Sequence, residues 1–182
     1  LFFSVPARRK FLKTVQTELN HAVDFVQRTL LAWPAVAFRV LHDGHEMLAY
    51  PGAGDRRHAL ATVYGRDVAR EMVPLSYESP GLNVHGFVSK PSVTRATRAS
   101  QAFFVNGRSV RSRTVQNAFD QAFRRLMDAD RHPVAVLFVE IAPEMVDVNV
   151  HPAKTEVRFT RDGDIYAAVR HAVESALLTG GL

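Results

Sequence analysis

The fold of this chain is decided by one stretch, Val146-Asp147-Val148-Asn149-Val150-His151-Pro152-Ala153-Lys154, in which apolar and polar residues alternate strictly up to His151. The alternation predicts a half-buried strand over 146–151, with Asp147, Asn149 and His151 on its polar face. Pro152 cannot donate a hydrogen bond to a sheet, so we expect the strand to end before it. Lys154 then lies on a loop beside the polar face, where its ammonium group can meet a phosphate that another surface holds. The alternative is a surface lysine that follows an ordinary amphipathic strand.

The composition is that of a soluble globular protein, because 47% of the 182 residues are hydrophobic and 23% are charged. Cysteine is absent, which excludes disulfides and thiolate metal sites and favours a cytoplasmic location. The apolar runs fall short of the roughly 20 residues that span a bilayer, so no membrane contact is expected. The histidines lack the spacing of metal ligands, so no metal site is predicted. The net charge of +5 is compatible with a polyanionic partner.

The clearest break in the chain is Pro51-Gly52-Ala53-Gly54, and we place a domain boundary there, between residues 1–53 and 54–182. Before it, apolar periodicity predicts a long helix that opens at Arg8-Arg9-Lys10 and ends at Trp33-Pro34. These cations oppose the helix dipole, so they either contact a phosphate or are simply solvated. A hairpin around Asp43-Gly44 follows, formed by residues 37–41 and 46–50. The chain begins inside an apolar segment without methionine, so we expect it to be part of a longer protein.

After the boundary, strand and helix patterns are mixed, and the sequence contains no internal repeat. The near-continuous apolar run at 133–141 predicts a central strand that is covered on both faces. Asn106-Gly107 predicts a tight hairpin turn after a strand at 101–105, and residues 91–100 form a polar, basic loop. The remaining predictions are strands at 73–77, 82–89 and 155–159 and helices at 56–64, 115–126 and 164–178.

Three segments resemble motifs of the MutL family of DNA mismatch repair ATPases: LFFSVPARRKFLK at 1–13, FVNGRSVRSR at 104–113 and VDVNVHPAKTEVRF at 146–159. They occur in the family's order and spacing, and the resemblance covers essentially the whole chain. It implies an α+β fold in two parts. Residues 1–53 would close a GHKL-type ATP-binding subdomain. Residues 54–182 would form a transducer subdomain similar to domain 2 of ribosomal protein S5, with helices on one face of a mixed sheet.

The resemblance implies a catalytic and nucleotide-binding role for Lys154, because the matching lysine of the family contacts the γ-phosphate of ATP. Asn149 and Asp147 would orient the phosphate end of the site, although polar strand faces also commonly meet only water. ATP and Mg²⁺ are the implied cofactors of the full-length parent, an ATPase of the GHKL superfamily. The general-base helix, the glycine turn and the lid of that site have no match in this chain. We therefore expect the isolated chain to bind no cofactor and to be inactive alone.

A second set of candidates is rich in arginine, which suits forked contacts to phosphate oxygens. The resemblance implies binding of single- and double-stranded DNA without sequence preference, and it links that role most directly to Arg113. The other members of the set are Arg95, Arg98, Arg108 and Arg111, followed along the chain by Arg124 and Arg125. The alternative is a solvated basic face that binds no ligand.

The resemblance also implies partners for the full-length parent. These are a second copy in an ATP-dependent homodimer of the N-terminal region, a mismatch-recognition protein of the MutS type, and a downstream repair nuclease or helicase. We expect a cytoplasmic, bacterial-type protein that is nucleoid-associated when bound to DNA. Two other classes stay open: the transducer of another GHKL ATPase such as a type II topoisomerase, and a non-enzymatic S5-like nucleic-acid-binding module. The segment at 104–113 argues against the first of these.

Overall fold

The computed structural model describes residues 4, 5, 7, 10–128, 130–148 and 156–180. The chain forms two compact units, Leu1–Ala59 and Leu60–Leu182. None of the helices in the described ranges combines the length and the hydropathy of a transmembrane segment.

The long helix of the first unit, α1 (Val15–Ala32), begins later than predicted. The Oγ1 atom of Thr14 accepts a hydrogen bond from the backbone N–H of Thr17 at 3.2 Å. This bond caps the helix, because it satisfies one of the backbone donors that the first turn leaves unpaired. The prediction that Arg8-Arg9-Lys10 opens this helix was therefore wrong. Lys10 precedes the helix, and the two arginines lie outside the described residues.

The hairpin of the first unit is confirmed. Its strands β1 (Phe38–His42) and β2 (His45–Tyr50) pair antiparallel. The φ angles of Asp43 and Gly44 are 49° and 77°. A two-residue hairpin turn of type I′ needs positive φ at both central residues, and aspartate followed by glycine meets that need at low cost.

Tyr50 anchors the end of this hairpin, since its side chain is only 2% exposed. Its hydroxyl donates a hydrogen bond to the backbone oxygen of Pro34 at 2.7 Å. Burial raises the pKa of the Tyr50 hydroxyl above its ordinary value of 10.0, and the Asp55 carboxylate adds to the shift. Gly52 follows with φ 76°, and a Cβ there would lie 2.8 Å from the backbone nitrogen of Ala37. The loop can therefore pack this closely only with glycine at position 52.

The chain after β2 alternates short helices with strands, and two features of it were not predicted. A second short helix, residues 66–70, follows the predicted one. Residues 94–95, inside the predicted loop 91–100, pair with residues 132–133 as two short strands. Short 3₁₀ turns occupy Arg98–Ser100 and Pro143–Met145. The elements are α2 (Arg56–Tyr64), α3 (Arg66–Arg70), β3 (Met72–Ser79), β4 (Leu82–Ser89), β5 (Thr94–Arg95), β6 (Gln101–Val105), β7 (Arg108–Val110), α4 (Arg113–Phe123), β8 (His132–Pro133), β9 (Ala135–Ile141), β10 (Val146–Asp147), β11 (Arg158–Phe159) and α5 (Asp162–Thr179).

The second unit is built on a five-stranded sheet with the strand order β3-β4-β9-β6-β7. Strand β6 runs parallel to β9, and the other neighbouring strands pair antiparallel. Strand β9 lies at the centre of the sheet, and every residue in it except Glu140 is buried. The predicted central strand is therefore confirmed.

Helices α4 and α5 pack together on one face of this sheet. Val115 and Phe119 of α4 join Ile165 and Val169 of α5 in one buried cluster with Leu137 of β9. Because residues two apart in a strand share a face, alternate residues of the other strands in the sheet also face these helices. The α+β class, with a mixed sheet and helices on one face, is confirmed.

The opposite face of the sheet carries a row of rings on three neighbouring strands. Phe138 of β9 lies between His85 of β4 and Phe104 of β6, with ring centroids 5.1 Å and 4.9 Å apart and planes within 13°. The three residues are direct cross-strand partners, so the sheet register itself sets the stacking. Beyond this row, the Nε2 atom of His85 lies 3.1 Å from Oε1 of Glu140, so this face becomes polar toward the end of β9.

The structure alters the predicted strands at 146–151 and 155–159. In the described residues only Val146 and Asp147 form the first strand, and they pair antiparallel with Phe159 and Arg158. This pair is a two-stranded sheet separate from the five-stranded one. Val148 follows it without strand pairing, and residues 149–155 lie outside the described ranges. Alternation specifies which side chains share a face but not which strand is the neighbour, so the sequence alone did not predict this pairing.

Candidate functional site

The turn Asn106-Gly107-Arg108 is held by the end of the central strand. The φ angles of Asn106 and Gly107 are 47° and 76°, as a tight hairpin turn requires. The Asn106 amide donates from Nδ2 to the backbone oxygen of Ile141 at 2.9 Å, and its Oδ1 accepts from the Ile141 backbone N–H at 2.9 Å. One side chain thus continues the parallel pairing of β6 with β9 beyond the last backbone partner.

Three of the predicted DNA-binding arginines follow this turn in close succession, and we call Arg108, Arg111 and Arg113 the α4 arginine group. Arg108 begins β7, a strand at the edge of the sheet, and Arg113 is the first residue of α4. All three are exposed, and none has an ion-pair partner among the described residues. Ser112 between them is 4% exposed, and its Oγ accepts a hydrogen bond from the Val115 N–H at 3.3 Å.

This placement of charge favours an anion. The N-terminus of a helix carries a partial positive charge, so Arg111 and Arg113 next to it oppose the helix dipole. Helix stability therefore does not explain why they lie there. Backbone N–H groups at a helix N-terminus and guanidinium groups are the usual donors to phosphate oxygens.

The other two predicted arginines lie on different elements. Arg95 is half-buried in β5, and its Nη1 donates to the backbone oxygen of Thr94 at 3.2 Å. The Nη2 atom of Arg98 lies 2.9 Å from Oδ2 of Asp120. Asp120 is two turns along α4 from Arg113, which is about 10 Å of helix. Arg108, Arg111 and Arg113 therefore lie within six residues of one another along the chain, whereas Arg98 pairs with Asp120 farther along α4.

Lys154 and Asn149, which were predicted to serve the phosphate end of an ATP site, lie outside the described residues, as does His151. Asp147 is exposed in β10, opposite Arg158. Across the described ranges, no group of three or more histidine, cysteine, aspartate or glutamate side chains is arranged to hold a metal ion.

Two residues that shape these sites were missed by the sequence analysis. Ser112 had a usable signal, because serine three residues before a buried valine is a common helix N-cap. Asp120 had a weaker one, since Gln116 lies one turn before it and donates from Nε2 to its Oδ1 at 2.9 Å. The partner that decides the role of Asp120, Arg98, could not be inferred from spacing.

Comparison with known proteins gives consistent matches. A family model described as DNA mismatch repair protein, C-terminal domain, matches residues 60–178. The DNA mismatch repair protein MutL of Symbiobacterium thermophilum is 47% identical over 185 residues, a match that covers 100% of this chain and 29% of that protein. MutL of Geobacillus kaustophilus is 46% identical over 176 residues, covering 97% of this chain and 28% of that protein. The chain thus spans less than a third of the length of these relatives.

Solved structures share the fold. A crystal structure of the N-terminal domain of a DNA repair protein matches with a TM-score of 0.80 and 19% identity, over 98% of this chain and 59% of that chain. The ATPase domain of Aquifex aeolicus MutL, complexed with ADP, matches with a TM-score of 0.61 and 23% identity, over 79% of this chain and 50% of that chain.

The mixed sheet with helices on one face is the fold that the chain shares with these solved structures. At these identities the solved structures show the fold alone, and the sequence matches carry the family. The chain belongs to the MutL family of DNA mismatch repair proteins.

Proposed function

We propose that this chain is the DNA-contacting and phosphate-sensing part of a MutL-type mismatch repair ATPase. In this proposal residues 1–53 complete an ATP-binding subdomain and residues 54–182 form the transducer. The full-length protein would bind and hydrolyse ATP with Mg²⁺ and dimerise through its N-terminal region. It would carry the signal from a MutS-type mismatch-recognition protein to a downstream nuclease or helicase, on DNA in the bacterial nucleoid. Family membership supports this role.

The α4 arginine group is the observation that carries the DNA-binding part of the proposal. Its three guanidinium groups are exposed, lie within six residues of one another along the chain, and flank a capped helix N-terminus. Contacts between these arginines and phosphates would select no base, because phosphates are the same at every step of the duplex. The geometry therefore favours binding of single- or double-stranded DNA without sequence preference. Arg95 and Arg98 stay predictions for this role.

Lys154 carries the proposed link to ATP. The motif that contains it matches the family, and the MutL ATPase domain of Aquifex aeolicus is recorded with ADP. An ammonium group at the terminal phosphate offsets the charge that develops when the phosphoryl bond breaks, and only the triphosphate offers it that partner. Asn149 would help to orient the same phosphate end of the site.

The DNA-binding proposal is tested by charge removal in the α4 arginine group. We expect the double variant Arg111→Gln/Arg113→Gln to bind a fluorescein-labelled DNA duplex more weakly than the unaltered chain at low salt. Each arginine that contacts a phosphate releases a counterion, so the slope of log K against log salt concentration should fall by about 1 for each one removed. Fluorescence anisotropy across a salt titration measures both quantities.

Arg66→Gln is the control, because Arg66 is exposed in α3 and its replacement removes one positive charge from the same unit, half of what the double variant removes. Its salt slope should stay that of the unaltered chain. A control that loses half as much as the double variant, in proportion to the charge removed, would mean that net charge alone binds DNA. In that case the α4 arginine group would have no special role.

A further inference from the structure

A cleft of about 520 Å³ lies in the second unit, at the C-terminal end of α4 and beside β8. This volume is within the range of sites that take small ligands or short peptide segments, roughly 300 to 1,000 Å³. Its lining combines charged and apolar side chains, among them Arg98, Asp120, Arg124, Met127, Arg131 and Tyr166.

One wall of the cleft is held by a continuous chain of hydrogen bonds. Gln101, 6% exposed, donates from Nε2 to the backbone oxygen of Pro133 at 3.1 Å. Gln116 donates from Nε2 to Oε1 of Gln101 at 3.0 Å and to Oδ1 of Asp120 at 2.9 Å. The other carboxylate oxygen of Asp120 pairs with Arg98 at 2.9 Å. Both oxygens of Asp120 are thus engaged by the protein, and its charge is neutralised by Arg98.

The rest of the cleft has an excess of positive charge. Arg124 and Arg131 line it together with one further carboxylate, that of Asp128. Arg124 is exposed and has no ion-pair partner in the described part of the chain. Arg131 uses its Nε to donate to Oγ1 of Thr94 at 2.9 Å, which fixes the guanidinium group and leaves its terminal amino groups for other acceptors.

The floor of the cleft is apolar and anchored in the core. Phe123 is 2% exposed, and the partly buried Met127 and Tyr166 pack against the main hydrophobic cluster. Pro133 of β8 is also buried. A ligand that fits this cleft therefore carries anionic groups beside an apolar group.

We propose that this cleft binds an acidic peptide segment of a partner protein. Carboxylates of the peptide pair with Arg124 and Arg131, and a neighbouring apolar side chain packs on Met127 and Tyr166. The carboxylate of Asp128 accepts a hydrogen bond from a peptide N–H.

The same features disfavour nucleic acid as the occupant. A phosphate has no N–H to donate to Asp128, whereas every peptide unit except proline has one. A concave cleft also suits an extended peptide better than the convex surface of a duplex.

The test uses fluorescence anisotropy on the full 182-residue chain with two labelled peptides. The probe is Asp-Glu-Phe-Asp-Glu with blocked ends, and the comparison peptide is its neutral isostere Asn-Gln-Phe-Asn-Gln. We expect the neutral peptide to bind at least about tenfold more weakly, since it loses charge-assisted hydrogen bonds. Arg124→Gln and Arg131→Gln should each weaken binding of the acidic probe by about tenfold for the same reason.

Two control variants separate this proposal from the DNA-binding one. Arg113→Gln should weaken duplex binding and leave peptide binding unchanged, while Arg66→Gln should leave both unchanged. Circular dichroism of every variant verifies that it is folded.

Three results would overturn the proposal: no binding of the acidic probe at millimolar concentration, equal binding of the two peptides, or equal binding of the probe by Arg124→Gln, Arg131→Gln and the unaltered chain. A fourth would reassign the cleft to nucleic acid. This is displacement of the probe by duplex DNA together with weaker duplex binding by Arg124→Gln and Arg131→Gln.

Discussion

The residues of the Asn106-Gly107-Arg108 turn have separate tasks. Asn106 adopts positive φ and hydrogen-bonds the turn to the backbone of Ile141. Gly107 completes the turn, and Arg108 is exposed on the edge strand. The asparagine is therefore a structural residue, and it sets the position from which the arginines start. Its amide is well suited to this task because one group supplies both a donor and an acceptor.

Replacing Asn106 tests this assignment. Asn106→Ala removes two hydrogen bonds and leaves the N–H and the C=O of Ile141 without them, so we expect a loss of about 2 kcal/mol in the free energy of unfolding. Urea denaturation followed by circular dichroism measures it. Asn117→Ala, at an exposed position on α4, is the matched control and should change stability by less than about 0.5 kcal/mol. A fully stable Asn106→Ala variant would contradict the assignment.

At the scale of elements, the close approach of β4 to β9 depends on one glycine. Gly86 of β4 has φ 145° and pairs with Leu137 of β9. A Cβ at Gly86 would overlap the backbone oxygen of Val136 and lie 3.1 Å from the Leu137 Cα. The clash is with backbone in the middle of the sheet, so no side-chain rotation relieves it.

We therefore expect Gly86→Ala to lower the free energy of unfolding by about 3 kcal/mol or more, through strain and loss of strand pairing. For Gly163→Ala we expect the opposite, a rise in the free energy of unfolding. Gly163 lies in α5, and a Cβ there meets nothing within 4 Å. Alanine there should stabilise the chain by roughly 0.5 to 1 kcal/mol. Thermal unfolding of both variants measures the two effects, and a Gly86→Ala variant as stable as the unaltered chain would show that the strands can separate without cost.

At the scale of the whole molecule, the proposed ATP contact requires the full-length protein, because this chain spans less than a third of its relatives. In that protein we expect Lys154→Ala to keep most of its affinity for ATP and to lose turnover by about 100-fold or more. The reason is that removal of one charge that stabilises the transition state has a cost of this size. Equilibrium binding of an ATP analogue and phosphate release measure the two quantities.

Lys90→Ala is the control for this experiment, since Lys90 pairs with Glu71 at 3.1 Å within the second unit. Its turnover should match that of the unaltered protein. Undiminished turnover in Lys154→Ala would remove this lysine from the mechanism.

Much of the fold was predictable from the sequence because the signals are local. Residue type predicts the turns at Asp43-Gly44 and Asn106-Gly107. Apolar patterns predict the strand at 82–89 and the central strand. The start of α1 was not predicted, because an apolar pattern that continues upstream does not show where a cap interrupts it. The family, too, followed from contiguous motifs.

Only the tertiary structure decided which distant residues meet. Asn106 contacts Ile141 across 35 positions, and Arg98 pairs with Asp120 because the helix passes the segment before β6. The tertiary structure also separated Arg98 and Arg124, which line the cleft, from Arg108, Arg111 and Arg113, which do not. Periodicity determines the face on which a side chain lies, but contacts between distant segments depend on the order and register of the strands, which periodicity does not specify.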